Sequence, residues 1–261
     1  TYIEDFEVEK KVKHEECFLI TKKNIVYSSK ILIDSRNDMN SFNSSELLYQ
    51  AFVGSEIKIT TNKFDSSTVT LMDFKENKNA IQFTYILPLT KKRALIETTF
   101  FTKKPNLYQI KKIHKKYLKR FENPILIKQE EGILPMGVAK PKNYKNILKI
   151  GMSAGMIRPS SGYSMMRIAG WISNVSDLEL NEQTISRFIY NPSRVLNWMD
   201  KLFLKVCFNR PDMGPTLFMS LFSKAETGAV IRFMAESNTY LDLLKVVMSL
   251  PKKIMIMSLF K

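Results

Sequence analysis

The pattern of apolar and polar positions divides this chain into a strand-rich first half and a helical second half. Residues 2–12 alternate, with Phe6, Val8 and Val12 on one side, and short apolar runs follow at 17–20 and 24–27 around a turn at 22–24. Three strands are predicted there. Residues 30–36, KILIDSR, form a continuous apolar run that closes on Asp34, the pattern of a strand buried on both faces of a parallel sheet. After a polar loop at 38–45, strands are predicted at 47–53 and 55–60 on either side of Gly54, then at 68–74, 80–87 and 93–101. Their short polar connections describe an antiparallel sheet.

Residues 106–122 change period. Leu107, Ile110, Ile113, Tyr117, Leu118 and Phe121 make one helical face, and Lys111, Lys112, Lys115, Lys116 and Lys119 cover the flanks. Residues 125–128 lead into a charged turn and a short apolar run at 129–137, and a strand is predicted at 146–150. Beyond residue 173 the pattern is helical, with segments at 178–190, 193–208, 213–222, 229–236 and 239–250. Pro251 stops the last, and 252–261 mixes lysines with Ile, Met, Leu and Phe.

Composition narrows the classes. With 261 residues, 44% hydrophobic and 11% aromatic, the chain can bury a sizeable core. Its net charge of +15 comes from lysines scattered among Asn and Ile, a matter of composition first and of an anionic membrane surface second. Nucleic acid ranks last, because no recognition-helix, zinc-finger or RNA-binding-sheet signature is present. Cys17 and Cys207 stand far apart in apolar surroundings, and His14 and His114 have no partner at metal-ligand spacing, so neither a disulfide framework nor a metal site is expected. That cysteine usage suits a reducing cytosol. No run reaches the roughly 18 apolar residues of a membrane span.

Two stretches carry candidate chemistry. In 150–168, IGMSAGMIRPSSGYSMMRI, Gly151, Gly155 and Gly162 permit backbone that a side chain would block, and Pro159 with Ser160 and Ser161 offers a turn and N-caps for a helix at 163–173. A helix N-terminus behind a glycine-lined loop suits an anionic or electron-rich ligand, although such loops also serve as plain structural punctuation. In 94–101, ALIETTFF, Glu97 is a single carboxylate among apolar neighbours. It is either a desolvated acid that keeps its proton near neutral pH or an outward-facing strand glutamate. No G-x-G-x-x-G occurs anywhere in the chain.

Several motifs, in order, resemble a known family: ILIDSR (31–36), YQAFVG (49–54) with LMD (71–73), FTYILPL (83–89) with ALIETTFF (94–101), QEEGILPMG (129–137), GMSAGMIRPSSGYSMMRI (151–168), PSRVL (192–196) and RPDMGPTLFMSLF (210–222). They are similar to the flavin-dependent lycopene β-cyclases of carotenoid-producing bacteria, over nearly the whole chain. The resemblance implies an α/β flavoprotein fold of the p-hydroxybenzoate-hydroxylase type, N-terminally truncated, with an antiparallel substrate sheet and C-terminal helices. It implies residues 1–37 and 129–175 as the remainder of a discontinuous FAD domain, 38–128 as substrate-domain sheet and helix, and 176–261 as a C-terminal helical region. It also implies cyclisation of lycopene ends to β-ionone rings, through γ-carotene to β-carotene, with FAD in its reduced form, NAD(P)H as reductant and no net redox change.

By the same resemblance Glu97 is the essential carboxylate; Asp34, Gly151, Ala154, Gly155, Pro159 and Gly162 border the flavin; and Phe83, Tyr85 and the C-terminal Phe and Met residues line an apolar tunnel. Many relatives carry a second acid after the first, where this chain has Thr98. Relatives also begin with a dinucleotide-binding unit, whereas this chain starts at Thr1 past that point, so a C-terminal portion of a longer cyclase is expected. The expected partners are carotenoids and a membrane surface, in a cytoplasmic, peripherally bound protein. An FAD-dependent monooxygenase or reductase on the same scaffold and a non-catalytic carotenoid- or lipid-binding fragment are the competing readings.

Overall fold

The computed structural model describes residues 8–13, 16–21, 26–36, 39–42, 47–141 and 146–257, with side-chain surroundings from residue 28 onward. The opening residues of the strand expected at 2–12, the turn at 22–24, His14, the Cys17 side chain and the end of the 252–261 tail lie outside what is described. The chain divides into two compact units: Thr1–Phe42, Val138–Arg158 and Tyr163–Arg194 form one, and Asn43–Gly137, Pro159–Gly162 and Val195–Lys261 the other.

In the first unit, β1 (Val8–Lys13), β2 (Glu16–Thr21) and β3 (Val26–Ser29) make an antiparallel sheet. The ILIDSR run supplies β4 (Leu32–Asp34), which pairs in parallel with a later strand at Ile147–Lys149. The parallel partner agrees with the apolar run, but burial on both faces does not: Ile33 is exposed while Asp34 is buried.

The second unit is built on a five-stranded antiparallel sheet. Its members are β5 (Leu48–Lys58), β6 (Thr70–Lys75), β7 (Ile81–Thr90), β8 (Arg93–Thr102) and β9 (Ile125–Met136), in the spatial order β6-β7-β8-β5-β9. Gly54 does not divide two strands. β5 is paired on both sides, with β8 and β9, so the ladder carries the backbone straight through the glycine. Residues 129–131 are strand rather than turn, since β9 lies at the sheet edge, where exposed charged residues are tolerated and no alternation is required.

Strand alternation gives this sheet two different faces. Ala94, Ile96 and Phe100 of β8, with Ala51, Val53 and Ile57 of β5, pack toward α1 (Leu107–Leu118), whose Ile110 is buried among them. Asn106 caps α1 by accepting a hydrogen bond from the Gln109 N–H at 3.0 Å. His114, buried on the same helix, bridges Thr98 Oγ1 at 3.0 Å and Ser55 Oγ at 2.9 Å. Burial pushes its imidazole down to about 4, so it stays neutral at physiological pH.

After β10 (Ile147–Lys149) and α2 (Met165–Val175) come α3 (Arg194–Asn209), α4 (Gly214–Lys224), α5 (Thr227–Met234), α6 (Tyr240–Ser249) and α7 (Lys252–Met257); the other face meets α3 and α4, and α5 and α6 pack in turn on those two. Leu48, Ile81, Phe83, Phe101 and Met136 of the sheet form one core with Phe203, Leu204, Leu217 and Phe218 of α3 and α4. Thr239 and Asp242 close a capping box on α6, and Arg232 of α5 grips Asp242 through two bonds of 2.9 and 2.6 Å. The helix expected at 178–190 is only a short 3-10 turn at Ile185–Phe188. Asn181 Oδ1 accepts from the Gln183 and Thr184 amides at 3.0 Å, and that local turn displaces the helical ladder.

Close approach of α4 to the sheet depends on Gly214, where a Cβ would lie 2.4 Å from two Ile81 side-chain carbons. Gly214→Ala is expected to destabilise the protein by about 1–3 kcal/mol in urea unfolding. Gly170→Ala in α2, where a Cβ meets nothing within 4 Å, is expected to be neutral or stabilising by up to about 1 kcal/mol. Equal effects would contradict this packing.

Candidate active site

Register places four residues in one row across the sheet: Tyr85 of β7 is opposite Glu97 of β8, Glu97 is opposite Gly54 of β5, and Gly54 is opposite Glu130 of β9. Directly opposed residues point to the same face. Here that face is the one away from α1, shared with Phe83 and Phe101, which pack edge-on at 5.2 Å. Thr98 points the other way, into its hydrogen bond with His114. An acid at position 98 would therefore face α1, and Glu97 is the β8 carboxylate that faces the row.

Glu97 is partly buried, and Thr99 donates a 2.6 Å hydrogen bond to its Oε1. Burial raises its carboxyl above the ordinary value, the Thr99 bond opposes that, and the nearby Glu130 charge adds to it. The Tyr85 phenol is likewise pushed up, by burial and then by the Glu97 charge. Of the two sequence readings of Glu97, the desolvated acid is the one this environment favours.

The glycine-rich stretch is split between the units. In the first, Gly151–Ala154 is a 3-10 turn following β10, closed by Gly155 in the left-handed region. The Ile150 N–H donates to Asp34 O at 3.1 Å and Ser153 Oγ to Arg36 O at 2.8 Å, so the turn is pinned to the end of β4. Asp34, Gly151, Ala154 and Gly155 are thus brought together. The Asp34 carboxylate is held by Arg36, with Nε at 2.9 Å and Nη2 at 3.3 Å. Arg167 of α2 donates to the Gly155 and Ile157 carbonyls, both at 2.9 Å, and fixes the turn's far side.

Pro159–Gly162 belongs to the second unit together with Glu97. Gly162 has φ +71°, and a Cβ there would sit 2.3 Å from Gln50 Oε1. Gln50 opposes Phe101, so this loop touches the same sheet face as Glu97. The Gln50 Oε1 is buried and accepts no hydrogen bond among the described residues. Ser160 is not a cap of α2, whose first turn begins after Ser164; it donates instead to the buried Asp200 of α3 at 2.7 Å.

Sequence reasoning missed Glu130, hidden in a charged run that read as a turn. An apolar cavity of about 350 Å³ lies among α3, α4, α5, α6 and α7, lined by Trp198, Phe222, Phe233, Val247 and Met255 together with Ser160 and Ser161. Among the described residues no three His, Cys, Asp or Glu side chains converge as a metal site.

Because the Glu97 pKa in the folded state lies above its unfolded value, the stability tied to this group is full below the unfolded value and is lost as pH rises through the folded one. Glu97→Gln is therefore expected to resist urea better than the wild type at about pH 8, with the gap closing toward about pH 4. A gap independent of pH would contradict the desolvated-acid environment.

The sequence matches the family described as lycopene cyclase protein over residues 6–259. It is 26% identical over 184 residues to the chloroplastic/chromoplastic lycopene beta cyclase of Narcissus pseudonarcissus, covering 60% of this chain and 36% of that protein. It is 24% identical over 246 residues to the lycopene beta-cyclase of Pantoea ananas, covering 88% of this chain and 63% of that protein. The chain thus spans about a third of the length of the plant relative and less than two thirds of the bacterial one. In fold it is similar to a geranylgeranyl bacteriochlorophyll reductase-like protein from Thermoplasma acidophilum, with TM-score 0.52 at 13% identity over 96% of this chain and 67% of that one. The mixed α/β fold with an antiparallel sheet and C-terminal helices is the class expected, and with the family match spanning most of the sequence, this chain belongs to the lycopene cyclase family.

Proposed function

We propose that this chain carries the acid-catalytic sheet of a lycopene β-cyclase, which closes the ends of lycopene into β-ionone rings without net electron transfer. The observation that carries this reading is the position of Glu97: a desolvated carboxyl, held by Thr99, on an aromatic-rich sheet face. Cyclisation needs a proton delivered to the terminal double bond of the polyene, and burial shifts the Glu97 carboxyl toward its protonated, proton-donating form. The carbocation that follows needs electron-rich neighbours. Tyr85 and Phe83, packed edge-on at 5.1 Å, offer π-faces beside Glu97.

FAD is proposed as the cofactor. The residues present fit such a group: in the first unit Gly151 and Gly155 are at positive φ, and a Cβ built on them meets nothing nearer than 3.9 and 3.8 Å, so the turn offers open backbone. In the first unit the residues that would hold it are Asp34, Gly151, Ala154 and Gly155. When bound and reduced at the expense of NAD(P)H, it would supply negative charge that stabilises a cation without turning over.

Peripheral membrane binding in the cytoplasm is part of the same proposal. Tyr240, Leu241, Leu244, Val247 and Met248 form an exposed stripe along α6, Tyr240 being 89% exposed, while Asp242, Val246 and Ser249 are buried on its other side. Lys252 and Lys253 follow at its C-terminal end. An apolar stripe edged by lysines suits an interface with anionic lipid, and among the described residues no helix is long and apolar enough to cross a membrane.

Expressed from its own gene in lycopene-accumulating bacteria, the protein is expected to convert red pigment to orange. Glu97→Gln is expected to lower ring formation by about a hundredfold or more. Pigment unchanged by the wild type would favour the non-catalytic binding reading, and NAD(P)H consumption matched to product would favour the monooxygenase or reductase reading. Separately, Leu241→Glu with Leu244→Glu is expected to reduce co-sedimentation with phosphatidylglycerol-containing liposomes at low salt; unchanged binding would contradict the α6 interface.

A further inference from the structure

We propose that Glu130 is the base of this reaction, taking the ring proton whose removal decides the type of ring formed. The inference rests on the cyclase reading above and extends it to a second residue.

Glu97 and Glu130 flank Gly54 in one row, on strands separated by a single strand, so their Cα atoms are about 10 Å apart. Between them the sheet carries no side chain. A Cβ on Gly54 would lie 3.2 Å from Glu130 Cγ, 3.5 Å from Glu130 Oε1 and 3.7 Å from Leu95 Cδ1, which places the Glu130 carboxylate over the glycine, reaching toward Glu97. The next row repeats the arrangement in apolar form: Phe52 is opposite Gly132, and its ring covers that glycine at 2.8 Å from a built Cβ. Over Gly54 the cover is Glu130 itself, with Leu95 at the side, so that two carboxyl groups stand on either side of the glycine. Their environments differ. Glu97 is the more buried, whereas Glu130 is 42% exposed and has the Lys128 ammonium 3.5 Å away. This divergence fits one group to give a proton and the other to take one.

The chemistry balances. The Glu97 O–H bond breaks as a C–H bond forms at the terminal double bond, and the positive charge is left on the neighbouring tertiary carbon. The internal double bond attacks that carbon, closing the six-membered ring and moving the charge to the methyl-bearing ring carbon. Loss of the proton from the ring carbon that bears the polyene gives the conjugated β-ring. Loss from the ring methylene on the other side of the cation gives the ε-ring. Glu130 takes the first of these protons, and exchange with solvent returns one to Glu97. No electron is transferred, and no second reactant is consumed.

The test compares wild type, Glu97→Gln, Glu130→Gln and Glu130→Asp in lycopene-accumulating bacteria, with ring types separated chromatographically and folding checked by thermal unfolding. Glu130→Gln is expected to fold as the wild type does, to lower β-ring formation by about tenfold or more, and to raise the ε-ring share of what remains. Glu130→Asp is expected to restore part of the β-ring yield. A Glu130→Gln variant with wild-type yield and only β-rings would overturn the proposal. So would one whose sole change is a shift in the acid limb of the pH profile, because Glu130 would then act only through its charge on Glu97. Wild type inactive on lycopene would sink the cyclase reading itself, an outcome distinct from either.

Discussion

The sheet of the second unit depends on strand parity. Along Arg93–Thr102 the even positions go under α1, where Ala94, Ile96 and Phe100 are buried and Thr98 meets His114; the odd positions face the C-terminal helices. Slipping the register by one residue would drive Glu97 into the α1 core and expose the aliphatic side chains. The neutral, doubly hydrogen-bonded His114 helps fix that register, since its two partners, Thr98 and Ser55, lie on the adjacent strands β8 and β5. The polar chemistry of one face is thus positioned by the packing of the other.

The same parity sets the direction of position 98. A residue at that position shares no face with Glu97. The second carboxylate on the Glu97 face comes instead from β9, two strands away, through the gap left by Gly54. Such a pairing joins positions 97 and 130, which no local motif spacing connects.

Much of this was legible in the sequence. The alternating strands of the second unit, the amphipathic helix with its lysine flanks and the order of C-terminal helices all follow from period, because each buries one continuous face. Glu97 was readable as a carboxylate in an apolar run, though only the cross-strand partners decide which way it points. The errors have physical causes. Gly54 read as a break because a glycine weakens an isolated strand, whereas ladders on both sides hold this one. Residues 129–131 read as a turn because an edge strand needs no apolar face. The segment at 178–190 read as a helix because its apolar spacing hid the Asn181–Thr184 turn, and Ser160 read as a cap because its partner, Asp200, is 40 residues away. The Phe and Met residues of the C-terminal helices signal apolar surface in the sequence, but the lining of the cavity among α3–α7 is set only once several helices are packed.

The central claim is that a protein carboxyl delivers a solvent-exchangeable proton to the polyene. Cyclisation run in D₂O, followed by mass spectrometry of the carotenoid, tests it most directly. One deuterium is expected per ring formed by the wild type. Rings formed without deuterium, or with hydrogen derived from labelled NAD(P)H, would contradict it.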